Sequence, residues 1–137
     1  MGLFGELKAG LKDGLKSNLK QRTDKQLTGD SGEQQALRYL ERQGMTAVER
    51  NFRCKGGEID LIMQDKSALV FVEVRKRAPG AAQFGGAAAS VTPAKQRRLI
   101  VAAQTYLKRY THPPACRFDV VAIDGAELSW LKNAIEA

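Results

Sequence analysis

Three carboxylate side chains interrupt two apolar stretches of this chain, and they constrain the fold more than any other feature. The stretches are 56–62, with apolar Ile and Leu, and 69–77, with apolar Leu, Val and Phe. This composition predicts two β-strands, and the short polar link between them predicts a hairpin. The acids are Glu58, Asp60 and Glu73. A carboxylate on a core strand is costly to bury unless it is paired, hydrogen-bonded or bound to a metal, so each acid needs a partner.

Strand periodicity groups these acids with a cation. Because side chains alternate along a strand, Glu58 and Asp60 share one face of the first strand, and Glu73 and Arg75 share a face of the next. Two carboxylates on adjacent strands, with a cation two residues further on, can hold a divalent metal beside a phosphate. The pattern therefore indicates a candidate metal and phosphate site at Asp60, Glu73 and Arg75.

The order and spacing of these residues resemble the PD-(D/E)xK nuclease signature, in which an Asp on one strand precedes Glu-x-Lys on the next. Asp60 matches the first acid and Glu73-Val74-Arg75 matches the tripeptide, with twelve residues between the two acids. Four further blocks extend the match: Gly32-Glu33, Asn51-Phe52-Arg53, Phe84-Gly85 and Arg117-Phe118-Asp119-Val120-Val121. From about Thr28 to the C-terminus, the ordered blocks are similar to the bacterial YraN-like family, proposed endonucleases distantly similar to archaeal Holliday-junction resolvases.

The resemblance implies a fold and a set of site residues. It implies an α/β domain of the restriction-endonuclease-like fold, with a mixed sheet flanked by helices. In that fold Asp60 and Glu73 would bind Mg²⁺ or Mn²⁺, with the Val74 carbonyl as a third ligand. Glu33 would be a further acid beside the metal. From the residues alone, Glu33 is equally well explained as part of a capping box at the start of the first helix, and the two roles are compatible.

Arg75 departs from the signature, which has Lys at this position. Arginine stays protonated at any working pH, so it cannot accept a proton, but it can hold a phosphate bidentately. Lys76 lies on the opposite face of the predicted strand, and only a one-residue bulge would exchange the two side chains. The expected function is therefore a metal-dependent endonuclease acting on DNA, including structured or branched DNA. The alternative is a nucleic-acid-binding module of the same fold that does not cut.

The charge of the chain is the second argument for a nucleic-acid partner. Its 137 residues fit one domain with a hydrophobic core, and they carry a formal net charge of +7. No acidic residue lies between Glu73 and Asp119. A basic surface of this kind suits a polyanion, although a basic protein without such a partner fits the charge equally well. The candidate nucleic-acid-binding residues are Arg53, Lys76, Arg77, Lys95, Arg97 and Arg98.

Residues 1–29 differ from the rest of the chain. Leu and Lys each recur there at every fourth position, which is typical of an amphipathic helix with a basic side. Such a segment can dock on an acidic membrane surface or on nucleic acid, but Gly2, Gly5, Gly10 and Gly14 favour a loose tail that becomes helical on contact. We expect a basic extension over 1–29 and a single domain over 30–137. A membrane-associated adaptor acting through 1–29 is a third interpretation of the chain.

The remaining features bear on location and partners. No apolar run approaches the ~18 residues needed to cross a bilayer, which predicts no stable membrane insertion. The chain shows no export signal, so Cys54 and Cys116 are expected to be reduced thiols in a cytoplasmic protein. A second copy of the chain is a candidate partner besides DNA.

The order of predicted elements is one helix, three strands, a long helix and two strands. The first helix opens near Glu33 and ends at Gly44, and the second opens at Thr92-Pro93. The small-residue segment 78–90 between the third strand and the second helix is expected to be a flap over the substrate. A short antiparallel meander followed by a helical crossover predicts a mixed sheet.

Overall fold

The computed structural model describes residues 31–77 and 91–136, apart from the side chains of Ser31 and Arg77. The predicted N-terminal extension and the predicted flap lie outside these residues. The described chain forms helices α1 (Ser31–Arg42) and α2 (Pro93–Leu107), and strands β1 (Thr46–Cys54), β2 (Gly57–Asp65), β3 (Ala68–Arg77), β4 (Cys116–Asp124) and β5 (Glu127–Ile135).

The five strands form one mixed sheet in the order β1-β2-β3-β4-β5. Strands β1, β2 and β3 make an antiparallel meander, β3 and β4 are parallel, and β5 returns antiparallel to β4. Parallel neighbours need a long connection, and α2 lies in the segment that joins β3 to β4. The predicted element order and the mixed α/β class are confirmed.

The two helices cover opposite faces of the sheet. On β3, alternate residues point to opposite sides: Val70 and Val72 pack in the core beneath α1, while Leu69 and Phe71 pack in the core beneath α2. Both faces of this strand are therefore buried, which is why its sequence is almost continuously apolar. No helix among residues 31–77 and 91–136 is long and apolar enough to span a membrane.

Local sequence signals fix where α2 begins and how closely it approaches the sheet. The Thr92 side chain accepts a hydrogen bond from the Lys95 backbone N–H, and Pro93 follows at the first helical position. Gly56 has a φ of 88° in the β1–β2 turn. A Cβ on Gly57 would lie 2.2 Å from the carbonyl oxygen of Arg98, so only glycine lets α2 lie directly on the start of β2.

A buried carboxylate ties β5 to the sheet. The Asp119 side chain is fully buried on β4, and its oxygens accept hydrogen bonds from the Arg117 guanidinium, the Trp130 indole N–H and the Asn133 backbone N–H. Asn133 has a φ of 52°, and the β4–β5 register shifts between Phe118 and Val120. The carboxylate thus satisfies a backbone donor at a point where the strand ladder is irregular.

Halfway along the β1–β2 hairpin, the regular alternation of side chains between the two faces of the sheet is broken. Phe52 packs on the α2 side of the sheet, whereas Arg50, two residues away, contacts α1. On the facing strand Ile59 and Leu61 also lie in cores on opposite sides. Residues two apart on a regular strand share a face, so both strands break the period at the same level.

Asn51 and Asp60 are the residues at this break. The β1–β2 register runs unshifted from Arg50↔Leu61 to Phe52↔Ile59, which places Asn51 opposite Asp60. Asn51 has a φ of 54°, in the left-handed region that Asn tolerates better than other residues with a side chain. The break in alternation on β1 therefore lies directly across from Asp60 on β2.

This geometry predicts that Asn51→Val lowers the free energy of unfolding by about 1–2 kcal/mol, because a β-branched residue is strained at positive φ. Asn51→Gly should leave stability nearly unchanged, since glycine adopts this conformation freely. Urea unfolding of both variants measures the difference. Ser129→Val, on an exposed position of β5 without positive φ, is the control. Equal stability of the Val and Gly variants would contradict a positive φ at position 51.

Candidate active site

The candidate site lies where β2 and β3 stop pairing. The last pair of their antiparallel register is Leu61↔Val72, and Asp60 is the residue of β2 directly beyond this pair. Beyond that point the Val74 backbone N–H donates to Asp60 Oδ2 at 2.8 Å. The Val74 N–H thus donates to the Asp60 side chain and not to a backbone carbonyl of β2, and a gap opens between β2 and β3.

A pocket of about 190 Å³ occupies this gap. It is bounded by strands β2 and β3 and by the first turns of α2, and its side chains carry three potential negative and three positive charges. The lining residues are Glu58, Asp60, Glu73, Val74, Arg75, Lys95 and Arg98. The acids and the cation that the strand periodicity grouped together thus line one pocket.

The Asp60 carboxyl is held in an unfavourable environment for its charge. Burial, followed by the neighbouring charge of Glu73, raises the pKa of Asp60 to about 7, against the lowering effect of the hydrogen bond from Val74. A carboxyl with this pKa exchanges its proton near neutral pH, which is uncommon outside functional sites.

Arg75, not Lys76, faces the pocket. Arg75 Nη1 lies 3.8 Å from Glu73 Oε2, and both side chains are largely buried. Lys76 lies on the other face, where its side chain runs over Gly32 of α1, and a Cβ on Gly32 would lie 3.2 Å from the Lys76 Cδ. No bulge exchanges the two cations, so the departure from the nuclease signature at Arg75 is a feature of the pocket itself.

Glu33 is not among the residues that line the pocket. It lies in the first turn of α1, with Oε2 3.6 Å from Arg50 Nη2, and Arg50 also donates to the Gln34 side chain at 3.3 Å. The Arg50 side chain is only 4% exposed. The structure brings Glu33 to this buried guanidinium, and its catalytic role stays a prediction.

The predicted nucleic-acid-binding residues are divided between the two faces of the sheet. Arg53 and Arg98 both contact Glu58, at 3.7 and 3.5 Å, and Lys95 lines the pocket. Arg97 is exposed on α2, while Lys76 is exposed on the α1 side. The α2 side therefore holds the larger group. The side chain of Arg77 lies outside the described residues.

The residues present fit a small divalent cation. Across 31–77 and 91–136, no three His, Cys, Asp or Glu side chains are arranged to hold a metal, and Glu58 is engaged by two arginines. Asp60 and Glu73 remain, with the Val74 backbone beside them. One or two carboxylates completed by water is how proteins usually bind Mg²⁺. A cation at these oxygens would also relieve the repulsion that helps to raise the pKa of Asp60.

Two contacts of the pocket were not predicted from the sequence. Strand periodicity predicted that Glu58 shares a face with Asp60, but it did not predict which residues pair with Glu58. These residues are Arg53 of β1 and Arg98 of α2, which lie on other elements. The hydrogen bond from the Val74 N–H to Asp60 depends on where the two strands part, and no sequence signal marks that point.

Comparison with known proteins places the chain among bacterial relatives. Residues 32–123 match the uncharacterised protein family UPF0102. A UPF0102 protein of Herminiimonas arsenicoxydans is 67% identical over 116 residues, which cover 85% of this chain and 92% of the relative. A second, from Janthinobacterium sp. strain Marseille, is 65% identical over 123 residues, covering 90% and 98%. A third, from Ralstonia pickettii, is 63% identical over 110 residues, covering 78% and 88%.

The raised pKa of Asp60 predicts how the metal-free protein responds to pH. The folded state holds a proton on Asp60 that the unfolded state loses above its usual pKa of 3.8, so stability falls as pH rises from 3.8 to about 7. Asp60→Asn removes this cost and should raise the free energy of unfolding at pH 8, on the order of 1 kcal/mol, with little effect at pH 4.

Thermal unfolding of both proteins at the two pH values, in buffer with a chelator, measures this difference. Glu127→Gln removes one exposed negative charge on β5 and should show no such pH dependence. The same gain at both pH values would mean that the Asp60 carboxyl has an ordinary pKa.

Proposed function

The chain belongs to the uncharacterised protein family UPF0102, and we propose that it is a Mg²⁺- or Mn²⁺-dependent endonuclease that hydrolyses DNA. The observation that carries the proposal is the convergence of Asp60, Glu73 and Arg75 in one pocket, in the gap between β2 and β3. This grouping is what the resemblance to PD-(D/E)xK nucleases requires of these positions. The proposal includes the restriction-endonuclease-like fold, for which the mixed sheet between two helices is the support.

Each pocket residue has a distinct role in this proposal. Asp60 and Glu73, with the Val74 carbonyl, would hold the cation, and Asp60 must give up its proton to do so. When bound, the cation supplies charge to polarise the scissile phosphate and to lower the pKa of an attacking water. Arg75 holds a phosphate oxygen and stabilises the charge that develops in the transition state. Because Arg75 stays protonated, it acts by charge and position and accepts no proton.

The α2 side of the pocket supports DNA as the substrate. Lys95 and Arg98 line the pocket from the first turns of α2, Arg97 is exposed beside them, and the first turn of the helix has no acidic residue. Cations at a helix N-terminus oppose the helix dipole, and a phosphate bound there relieves that conflict. Structured or branched DNA is the substrate class that the resemblance to resolvases favours.

One observation favours a second candidate function. Arg75 occupies the position of the signature Lys, and Lys76, the next cation of β3, lies on the α1 face away from the pocket. A chain that has kept the fold only to bind nucleic acid would tolerate this replacement. The alternative is therefore a nucleic-acid-binding module without nuclease activity.

Cleavage assays separate the two functions. With Mn²⁺ or Mg²⁺ and linear, flapped or four-way-branched DNA, the wild type should cut and Asp60→Ala should not, because one of two carboxylate ligands is lost. Arg75→Ala should lower the rate by a factor of about 100, the usual loss for a preorganised charge donor. Arg75→Lys should keep measurable activity, since it restores the signature residue. Arg38→Ala, exposed on α1, is the matched control for the loss of an arginine.

The opposite outcome is equally specific. Wild type that cuts no faster than Asp60→Ala on any of these substrates, while both still bind DNA, would establish the binding module and exclude the nuclease. Binding by Asp60→Ala should then be as tight as that of the wild type or tighter, because a carboxylate that repels phosphate is gone.

The basic surface predicts that DNA affinity falls steeply with salt. Replacing Arg97 and Arg98 by Ala should flatten the slope of log affinity against log salt by about 0.9 for each phosphate contact that is lost. Fluorescence anisotropy over a range of salt concentrations measures this slope. Arg38→Ala with Arg42→Ala removes two exposed charges from α1 as the control. An unchanged slope in the α2 variant would place the DNA surface elsewhere on the chain.

A further inference from the structure

Glu58 joins three elements of the fold at the candidate site. It lies on β2, with Oε1 3.5 Å from Arg98 Nη2 of α2 and Oε2 3.7 Å from Arg53 Nε of β1. Each carboxylate oxygen thus faces a different guanidinium. Glu58 and Arg98 line the pocket that holds Asp60 and Glu73.

These ion pairs contribute little to holding the fold together. The Glu58 side chain is 46% exposed, and those of Arg53 and Arg98 are 76% and 58% exposed. Exposed pairs at these distances contribute little to stability and exchange readily for other partners. The packing of α2 on β2 is set by the close approach of the Gly57 and Arg98 backbones, which does not involve the Glu58 carboxylate.

The arrangement has the form of an occupied anion site. Two guanidinium groups that flank the two oxygens of a carboxylate, at 3.5 and 3.7 Å, can flank the two non-bridging oxygens of a phosphodiester in the same way. The pocket lining contains three acids, one of them Glu58, and three cations. Without Glu58 the same lining would carry an excess positive charge and would attract any nucleic-acid backbone.

We propose that Glu58 is a specificity residue that stands in for a DNA phosphate, occupying Arg53 and Arg98 until a phosphate seated at the pocket displaces it. The inference rests on the proposed function, because it assumes that DNA is the ligand of this surface. Breaking the ion pairs of Glu58 lowers the affinity for every DNA backbone that displaces it. Only DNA that also contacts the other residues of the pocket gains enough further interactions to offset this loss. Glu58 therefore weakens indiscriminate binding more than it weakens productive binding.

The test compares Glu58→Gln with a matched variant at the other end of α2. Glu49 of β1 pairs with Arg109 at 3.5 Å, and its side chain is 29% exposed. Glu49→Gln therefore breaks the same kind of ion pair, to an arginine in the turn that follows α2, and changes the net charge by the same amount. Affinities for a short duplex of arbitrary sequence are measured by anisotropy in buffer with a chelator, so that cleavage does not contribute.

Glu58→Gln should bind the duplex about fivefold more tightly than the wild type, with a steeper salt dependence, while Glu49→Gln should change the affinity less than about twofold. Adding Arg98→Ala should remove most of the gain. The loss caused by Arg98→Ala should accordingly be larger in the Glu58→Gln background than in the wild type, which identifies the pair as the source of the effect.

Equal affinities of the Glu58→Gln and Glu49→Gln variants would overturn the inference and leave the proposed function standing, since the wild type would still bind DNA. An equal loss from Arg98→Ala in both backgrounds would also overturn it. Absence of DNA binding by the folded wild type and by Glu58→Gln would instead contradict the proposed function, and the inference with it. Circular dichroism confirms that each variant is folded.

Discussion

The hydrogen bond from the Val74 backbone N–H to Asp60 Oδ2 is the contact on which the pocket depends. Strands β2 and β3 pair regularly up to Leu61 and Val72, and this 2.8 Å bond then closes the end of the ladder. Because a side chain accepts the bond, the two strands separate without leaving the Val74 donor unsatisfied. The gap gives Glu73 and Arg75 access to the same space as Asp60, and it sets the shape of the site.

Two acids of this sheet, Asp119 and the partly buried Asp60, differ in how their charges are compensated. Asp119 accepts hydrogen bonds from a guanidinium, an indole and a backbone N–H, so its charge is fully compensated and it anchors β5. Asp60 has one backbone donor and faces a second carboxylate, which helps to raise its pKa to about 7. The Asp60 carboxylate therefore costs stability in the free protein as pH rises toward 7 and above. The compensated acid is part of the scaffold.

The close approach of α2 to β2 couples the packing of the fold to its surface charge. Gly57 lets the backbone of α2 contact the start of β2, and the same contact brings Arg98 to Glu58 and Lys95 to the pocket. A residue with a side chain at position 57 would push the helix outward and move these cations with it. The close approach at Gly57 thus holds Arg98 and Lys95 near the acids of the pocket.

The sequence by itself determined the elements and the mixed α/β class, because hairpin strands pair with their neighbours. It also placed Glu73 and Arg75 on one face of β3, because side chains alternate with period two. Asp60 lies where this alternation breaks on β2, so the fold decided its exact place beside them. Tertiary packing decided the rest. Three features depend on how the two helices pack on opposite faces of the sheet. They are the positive φ of Asn51, the partners of Glu58 and the contact between Glu33 and Arg50. Those positions follow from side-chain volumes and contacts between residues far apart in the chain, which local patterns do not encode.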